Sequence, residues 1–233
     1  MLERYTKKEL AKLIQFTNVK AELTRDELTE HLRTCADYGV HAAMISPCWV
    51  FYAKGYLKGT GVRVATTVNF PQGTDTLGMK VAAVRLIAKE GADEFDFPPN
   101  PAFLLSGMEE EYFRELEAVC NAAHEEGMQA KAMLEFGYLP TRELKAKAVQ
   151  LACMAKVDWA KNSSGWGAGG SPATVEDMAL LKENLSGMTK IKASGKVNSY
   201  KKMDELFAAG AALVGTSSAP AIMDGLEGDE AAY

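Results

Sequence analysis

Histidine and cysteine are scarce in this chain, and their placement argues against two common kinds of catalytic site. Three histidines occur among 233 residues, and none pairs with a plausible carboxylate and nucleophile in the manner of a hydrolytic triad. The four cysteines are scattered, with no CxxC pair and no histidine at ligand spacing. We therefore expect a protein that uses neither a metal ion nor a cofactor.

The chain also lacks long hydrophobic runs and an excess of positive charge. Its formal net charge is −5, which gives no support to nucleic acid or an anionic membrane surface as a partner. No apolar run approaches the roughly 18 residues that span a bilayer, and residues 1–10 lack the apolar segment of a signal peptide. Isolated cysteines among apolar residues fit a reducing compartment, so we expect a cytoplasmic protein.

Apolar strand-like segments alternate with amphipathic helical segments along the chain. Strands are predicted near residues 13–18, 42–46, 62–68, 94–97, 129–134, 159–161, 190–193 and 213–215, and the clearest helices near 25–38, 76–90, 109–126, 141–155, 174–184 and 201–209. Strands separated in this way by helices predict a parallel sheet. The composition shows no break, which favours closure into a single-domain (β/α)8 barrel, a TIM barrel. An open doubly wound sheet is the alternative, but its Gly-rich fingerprint after the first strand is missing.

The end of the chain differs from the rest in composition. Residues 225–233 read GLEGDEAAY, which is acidic and rich in small residues. Such a segment offers little apolar surface to bury. We therefore expect a barrel over residues 1–225 and a flexible acidic tail over residues 226–233.

Three lysines lie in or at the end of predicted apolar strands. Lys131, Lys161 and Lys192 are separated by 30 and 31 residues, about one strand, loop and helix, so we expect them at the same level of successive units. Burying an ammonium ion without a partner is expensive, and clustered lysines disfavour each other's charged form. An uncharged lysine is a nucleophile that forms imines with carbonyl compounds.

Plainer interpretations stand beside this one for two of the lysines. Lys161 precedes the polar, glycine-rich loop SSGWGAGG, whose backbone N–H groups would suit an anion, but it could equally be an exposed loop residue. Lys131 shares a strand face with Glu135, so a structural ion pair between them is the alternative there.

A carboxylate is expected near the lysines. Asp96 lies between Phe95 and Phe97 in the fourth strand. Because side chains alternate along a strand, the two aromatic rings would face the helices while Asp96 and Glu94 enter the barrel. Asp96 would either neutralise the lysines or move protons during imine formation.

The last predicted strand ends in a turn typical of phosphate pockets. Gly215, Thr216, Ser217 and Ser218 follow one another there, and Ser194, Gly195 and Lys196 end the strand before it. Loops after strands 7 and 8 bind phosphate in many (β/α)8 barrels. Together the two turns predict a phosphate site.

Seven short segments resemble the deoxyribose-phosphate aldolases, a family of class I aldolases, over almost the full length of the chain. In chain order they are FTNVK at 16–20, VNFPQG at 68–73, GADEFD at 91–96, KAMLE at 131–135, AKNSSG at 160–165, KASG at 192–195 and GTSS at 215–218. The resemblance implies that Lys161 forms the Schiff base, Lys192 perturbs its pKa and Asp96 is the proton-relay carboxylate. Lys131 falls on a further active-site lysine of the family. Tyr233 corresponds to a tail tyrosine that reaches the site in some members.

The resemblance also implies a reaction, a place for the phosphate and small-molecule partners. The reaction is the reversible cleavage of 2-deoxy-D-ribose 5-phosphate to acetaldehyde and glyceraldehyde 3-phosphate, a metal-independent lyase step of carbohydrate catabolism. Substrate and phosphate would be held by Gly165, Gly195, Lys196, Gly215, Ser217 and Ser218. A homodimer is the candidate assembly.

Several residues depart from the family pattern, and three of them change the charge expected at the site. Gln15 stands where the family usually has an acidic residue, Lys196 where it has a second glycine, and Asn198 where it has an arginine. Lys196 could restore the charge that is lost at Asn198. Two further functions stay open: a Schiff-base aldolase with another, unphosphorylated acceptor aldehyde, and a catalytically silent barrel that binds a sugar phosphate.

Overall fold

The computed structural model describes residues 2–225 and Gly228. Within them, eight parallel strands pair in chain order, and the last closes on the first to form a barrel. The strands are β1 (Ile14–Asn18), β2 (Ala42–Ile45), β3 (Arg63–Thr67), β4 (Glu94–Phe97), β5 (Gln129–Met133), β6 (Trp159–Lys161), β7 (Lys190–Ser194) and β8 (Leu213–Thr216). The predicted single-domain (β/α)8 barrel is confirmed.

Helices surround the barrel. They are α1 (Lys7–Ala11), α2 (Arg25–Tyr38), α3 (Val50–Tyr56), α4 (Leu77–Glu90), α5 (Pro101–Leu105), α6 (Glu109–Glu125), α7 (Arg142–Met154), α8 (Val175–Asn184), α9 (Tyr200–Ala209) and α10 (Ala219–Met223). The six long helices are α2, α4, α6, α7, α8 and α9, and each of their ends lies within one residue of the end that the sequence predicts. The short helices α1, α3 and α5 were not predicted, because one or two turns are too few to show a helical period.

Local sequence explains where the long helices begin and end. At the start of α2, the Thr24 hydroxyl accepts a hydrogen bond from the Glu27 backbone N–H, and the Glu27 carboxylate accepts one from the Thr24 backbone N–H at 2.8 Å. This reciprocal pair satisfies two backbone donors that the helix leaves free. The helix stops at Gly39, whose φ of 65° is left-handed, a conformation that glycine adopts without steric cost.

The strands separate an outer apolar layer from a polar barrel interior. Phe95 and Phe97 belong to the core between barrel and helices, as the alternation along β4 predicts. Glu94 and Asp96 point the other way and are wholly buried inside the barrel. The apolar contact between strands and helices thus holds the fold together and leaves the interior free to carry charged groups.

Two expectations concern membrane-spanning segments and the C-terminal tail. No helix within residues 2–225 is long and apolar enough to cross a membrane. The predicted tail at residues 226–233, including Tyr233, lies outside the described residues apart from Gly228.

Candidate active site

Two lysines and one carboxylate meet inside the barrel near the C-terminal ends of its strands. The Lys161 Nζ lies 2.8 Å from Asp96 Oδ2, and the Lys192 Nζ lies 2.5 Å from the same oxygen. All three residues are buried. The cluster draws on β4, β6 and β7, so it exists only once the barrel has closed.

The third lysine belongs to a different pair. Lys161 and Lys192 are register partners, but the partner of Lys161 on β5 is Met133, and Lys131 lies two residues earlier. The Lys131 Nζ lies 2.9 Å from Glu94 Oε1. The expectation that all three lysines share one level is therefore wrong for Lys131, because the stagger between strands sets side-chain depth and sequence spacing does not.

The alternative ion pair between Lys131 and Glu135 is also wrong. Glu135 follows β5 in a left-handed conformation with φ of 45°, which turns its side chain towards the loop after β6. Its Oε1 accepts a hydrogen bond of 2.9 Å from the Ser164 backbone N–H. Burial raises the pKa of Glu135 to about 7, and the hydrogen bond from Ser164 opposes that rise.

A polar network continues below the lysine pair towards the other end of the barrel. The Gln15 side chain accepts a hydrogen bond from Lys192 through its oxygen and donates one of 2.9 Å from Nε2 to Glu94 Oε1. Glu94 Oε2 lies 3.1 Å from His41 Nε2 and 3.5 Å from an Arg63 nitrogen. Gln15 therefore joins the upper charged group, Asp96 with its two lysines, to the lower one around Glu94.

The charges set the protonation states of the cluster. Burial alone would raise the pKa of Asp96, but the charges of Lys161, Lys192 and Lys131 outweigh it and lower that pKa to about 2. Burial lowers the pKa of Lys192 well below its ordinary value; Asp96 opposes this shift, while the neighbouring lysines reinforce it. The site thus combines an ionised carboxylate with an amine that gives up its proton readily.

A small cavity opens onto the Lys161 nitrogen. Besides Asp96 and Lys161, its walls are Thr17, Val19, Met44, Thr67, Phe70, Met133, Ser164 and Ser194. Lys161 Nζ also donates to Met133 Sδ at 3.4 Å. The Phe70 and Trp166 rings pack edge to face, with their centroids 6.0 Å apart. A small aldehyde entering the cavity would meet an amine with a carboxylate beside it.

The predicted phosphate-binding residues lie at the C-terminal ends of three adjacent strands. Gly165 follows β6, Gly195 and Lys196 follow β7, and Gly215, Ser217 and Ser218 end or follow β8. Gly195 has a φ of 108°, and a Cβ there would approach the Ser171 carbonyl oxygen to 2.2 Å. Lys196 is left-handed with φ of 50° and is exposed. The structure thus brings the six residues to the mouth of the barrel.

Gly215 also lies close to the side chains of Lys192 and Ser194. A Cβ at this position would lie 3.1 Å from Lys192 Cε and 3.2 Å from Ser194 Oγ. Those contacts are tighter than most Cβ contacts in proteins, so Lys192 or Ser194 would have to shift by a few tenths of an ångström to admit a side chain here.

Some of the surrounding residues had no signal in the sequence. Met133 and Phe70 look like ordinary apolar residues, and only closure of the barrel brings them to the cavity beside Lys161, where the Trp166 ring packs on that of Phe70. Gln15 was visible as a departure from the family pattern, but its two contacts were not. Among residues 2–225 and Gly228, no three or more His, Cys, Asp or Glu side chains form a group that could hold a metal ion; metal independence stays a prediction.

Comparison with known proteins places these features in a family. No family model matches the chain. A deoxyribose-phosphate aldolase of Thermococcus gammatolerans is 36% identical over 224 residues, covering 95% of this chain and 98% of the relative. One of Geobacillus sp. is 34% identical over 216 residues, covering 93% and 95%. The tetrameric deoxyribose phosphate aldolase of Aeropyrum pernix superposes with a TM-score of 0.85 at 25% identity, covering 96% of this chain and 93% of that one. The chain belongs to the deoxyribose-phosphate aldolase family.

Proposed function

We propose that this protein is a class I aldolase that reversibly cleaves 2-deoxy-D-ribose 5-phosphate to acetaldehyde and glyceraldehyde 3-phosphate. The observation that carries the proposal is the pair of buried lysines on one oxygen of Asp96, in a chain 36% identical to a deoxyribose-phosphate aldolase. A buried lysine pair is costly to maintain and has direct use in imine chemistry.

Lys161 is the nucleophile in this scheme. It ends β6 and lines the cavity, whereas Lys192 lies behind it. Lys161 attacks the aldehyde carbon of the open-chain sugar as the free amine, after its proton has passed to solvent, and Lys192 acts on it as the neighbouring like charge on the same Asp96 oxygen. Asp96 then assists proton transfer to the carbinolamine hydroxyl, which leaves as water to give the imine.

Cleavage follows from the imine. Asp96 accepts the proton of the hydroxyl on carbon 3, the bond between carbons 2 and 3 breaks, and its electron pair moves into an enamine on Lys161. Carbons 3 to 5 leave as glyceraldehyde 3-phosphate. Asp96 returns the same proton to the enamine carbon, and one water molecule hydrolyses the new imine to release acetaldehyde and the free lysine; this water replaces the one lost when the first imine formed.

The phosphate is held at the mouth of β6 to β8. Gly165, Gly195 and Gly215 let the chain pass close to it, Ser217 and Ser218 supply polar groups, and the exposed Lys196 supplies a positive charge. Lys196 would thus replace the charge that Asn198 lacks. The position of Lys196 on the loop after β7 supports this assignment.

A second candidate is an aldolase of the same chemistry with an unphosphorylated acceptor aldehyde. It is favoured by Asn198, a neutral residue at the position where the family usually has an arginine. Turnover of 2-deoxyribose compared with its 5-phosphate separates the two candidates.

Further parts of the proposal concern conditions and assembly. The reaction runs without metal or cofactor, on small aldehydes and a sugar phosphate, as a catabolic step in the cytoplasm. Because the Aeropyrum pernix relative is tetrameric, we also expect self-association, as a homodimer or a larger assembly. Light scattering during gel filtration measures it.

The test of the reaction is direct. The protein is mixed with 2-deoxyribose 5-phosphate, and acetaldehyde and glyceraldehyde 3-phosphate are each measured by coupled dehydrogenase assays. Equal amounts of both products are expected, and Lys161→Met should form neither. The surface variant Lys201→Met is the control and should keep the wild-type rate. Substrate bound without cleavage would instead support a catalytically silent sugar-phosphate-binding barrel.

A further inference from the structure

The segment after β6, residues 162–171, is folded around the side chains of two serines, and we call it the β6 loop. Ser163 Oγ accepts hydrogen bonds from the backbone N–H groups of Gly165, at 3.0 Å, and of Ser171, at 2.7 Å. Ser164 Oγ accepts one of 2.9 Å from the Trp166 N–H. Because these bonds lie within the loop, they fix its shape but not its position on the barrel.

Glu135 connects the β6 loop to the end of β5. Its Oε1 accepts a hydrogen bond of 2.9 Å from the Ser164 N–H, and both residues are buried. The φ of Glu135, 45°, is left-handed, a conformation that residues other than glycine adopt at an energetic cost. Burial of the carboxyl group is also costly, and an apolar residue would avoid that cost. The arrangement therefore indicates a function of this carboxyl group beyond folding.

Three consecutive residues of the β6 loop lie at the cavity beside Lys161. Ser164 is one of its walls, and Gly165 is one of the predicted phosphate-binding residues. The Trp166 ring packs on Phe70, which is a further wall of the cavity. In the proposed reaction the substrate extends from Lys161 to the phosphate site at the mouth of β6 to β8, so it passes this segment.

Other contacts hold the nucleophile. The Lys161 carbonyl accepts a hydrogen bond of 2.8 Å from the Leu134 N–H, and its Nζ lies 2.8 Å from Asp96 Oδ2. Glu135 takes part in neither contact. A shift of the β6 loop would therefore change the wall of the cavity and leave the amine in place.

We propose that Glu135 is a positioning residue for carbons 3 to 5 of the substrate, because its carboxyl group holds the Ser164 N–H and so fixes residues 164–166 at the cavity. Glu135 acts through the β6 loop and is not one of the cavity walls. Such positioning favours the bound geometry that reacts. The catalytic consequence of this inference rests on the proposed function, but the anchoring of the loop does not.

Two substitutions separate the hydrogen bond of Glu135 from its charge. Glu135→Met and Glu135→Gln both remove the negative charge that interacts with Lys161, but only the glutamine keeps an acceptor for the Ser164 N–H. A difference between the two variants thus reports the hydrogen bond, and a shared effect reports the charge. The matched control Glu117→Met makes the same change at an exposed site of α6.

Hydrogen exchange of the Ser164 amide, followed by NMR, measures the anchoring without any substrate. In Glu135→Met we expect the exchange to be at least about tenfold faster than in the wild type, because the N–H has lost its acceptor. Glu135→Gln and Glu117→Met should keep the wild-type rate. Unchanged exchange in Glu135→Met would overturn the inference.

Kinetics measure the effect on the substrate. Relative to Glu135→Gln, the Met variant should show a kcat/KM for 2-deoxyribose 5-phosphate lower by about threefold to tenfold, mainly through a higher KM, the effect of one lost hydrogen bond. Imine formation with acetaldehyde, which lacks carbons 3 to 5, is trapped by borohydride as the comparison. Its rate should agree between the two variants within about twofold.

The outcomes keep this inference apart from the proposed function. An equal loss of imine formation and of cleavage in Glu135→Met relative to Glu135→Gln would show that Glu135 acts on the amine, which contradicts the positioning role. If Glu135→Met does not fold, Glu135→Ala removes the acceptor with less bulk and is held to the same predictions. Wild-type protein that does not cleave 2-deoxyribose 5-phosphate contradicts the proposed function, and hydrogen exchange still decides whether Glu135 holds the loop.

Discussion

At the scale of single residues, the buried carboxyl group of Glu135, which contacts the loop after β6, makes the folding stability depend on pH. Its Oε1 holds the Ser164 N–H, and burial raises its pKa to about 7 from 4.5. Because the folded pKa lies above the unfolded one, the stability contributed by the neutral acid is complete below pH 4.5. It is lost as the pH rises through about 7.

Glu135→Gln should therefore stabilise the protein in alkali. The amide oxygen keeps the hydrogen bond from Ser164 and cannot ionise, so at pH 8 we expect an unfolding free energy higher by up to about 3 kcal/mol. At pH 5 the two proteins should differ little. Urea unfolding at the two pH values measures this, and an equal difference at both would contradict the assignment.

The proposed contact between Lys196 and the substrate phosphate can be tested by removing the lysine charge. Removal of its charge by Lys196→Met should raise the KM for 2-deoxyribose 5-phosphate by about threefold to tenfold, the effect of losing one charged contact to phosphate at an exposed site. The kcat should change little, because Lys196 lies away from the imine. Unphosphorylated 2-deoxyribose is the control substrate, and an equal loss with it would show that Lys196 does not bind the phosphate.

At the scale of helices and loops, a buried ion pair outside the barrel fastens two loops of the active-site face. Lys80 of α4 donates at 2.7 Å to Glu115 of α6, at 2.7 Å to the Gly73 carbonyl and at 3.3 Å to the Pro98 carbonyl. Glu115 accepts a hydrogen bond of 2.8 Å from the Asn100 N–H. The loops after β3 and β4 are thus held by one pair of charges.

Removal of one partner of this ion pair should lower the unfolding free energy more than removal of both partners. Lys80→Met leaves Glu115 buried and unpaired, which should cost about 3–5 kcal/mol of unfolding free energy. The double variant Lys80→Met with Glu115→Leu leaves no buried charge and should lose less. Urea denaturation of the three proteins gives the comparison; a double variant less stable than the single one would contradict this account.

Among the helices, some features could be predicted from the sequence alone and others could not. The long helices were predictable because caps such as Thr24 with Glu27 and the end at Gly39 are local signals. Helix α3 was not predicted because seven residues give no clear period. The ion pair of Lys80 with Glu115 was also not predicted, since it joins helices whose contact depends on the fold.

At the scale of the whole molecule, closure of the barrel turns separate motifs into a site. The alternation of strands and helices was enough to predict the barrel, while the phosphate site at the glycine and hydroxyl turns after β7 and β8 stays a prediction. The depth of Lys131 was not predictable, because strand register and not sequence spacing decides which lysines meet. For the same reason the sequence could not show that Gln15 lies between Lys192 and Glu94.

The central claim is that Lys161 is the amine that forms an imine with the substrate. The measurement that tests it most directly is reduction by borohydride in the presence of acetaldehyde, followed by mass spectrometry of the proteolytic peptides. We expect one ethyl group on Lys161 in the wild type and in the surface variant Lys201→Met, and none at that site in Lys161→Met. An ethyl group on Lys192 or Lys131 with Lys161 unmodified, or no modification of any buried lysine, would contradict the claim.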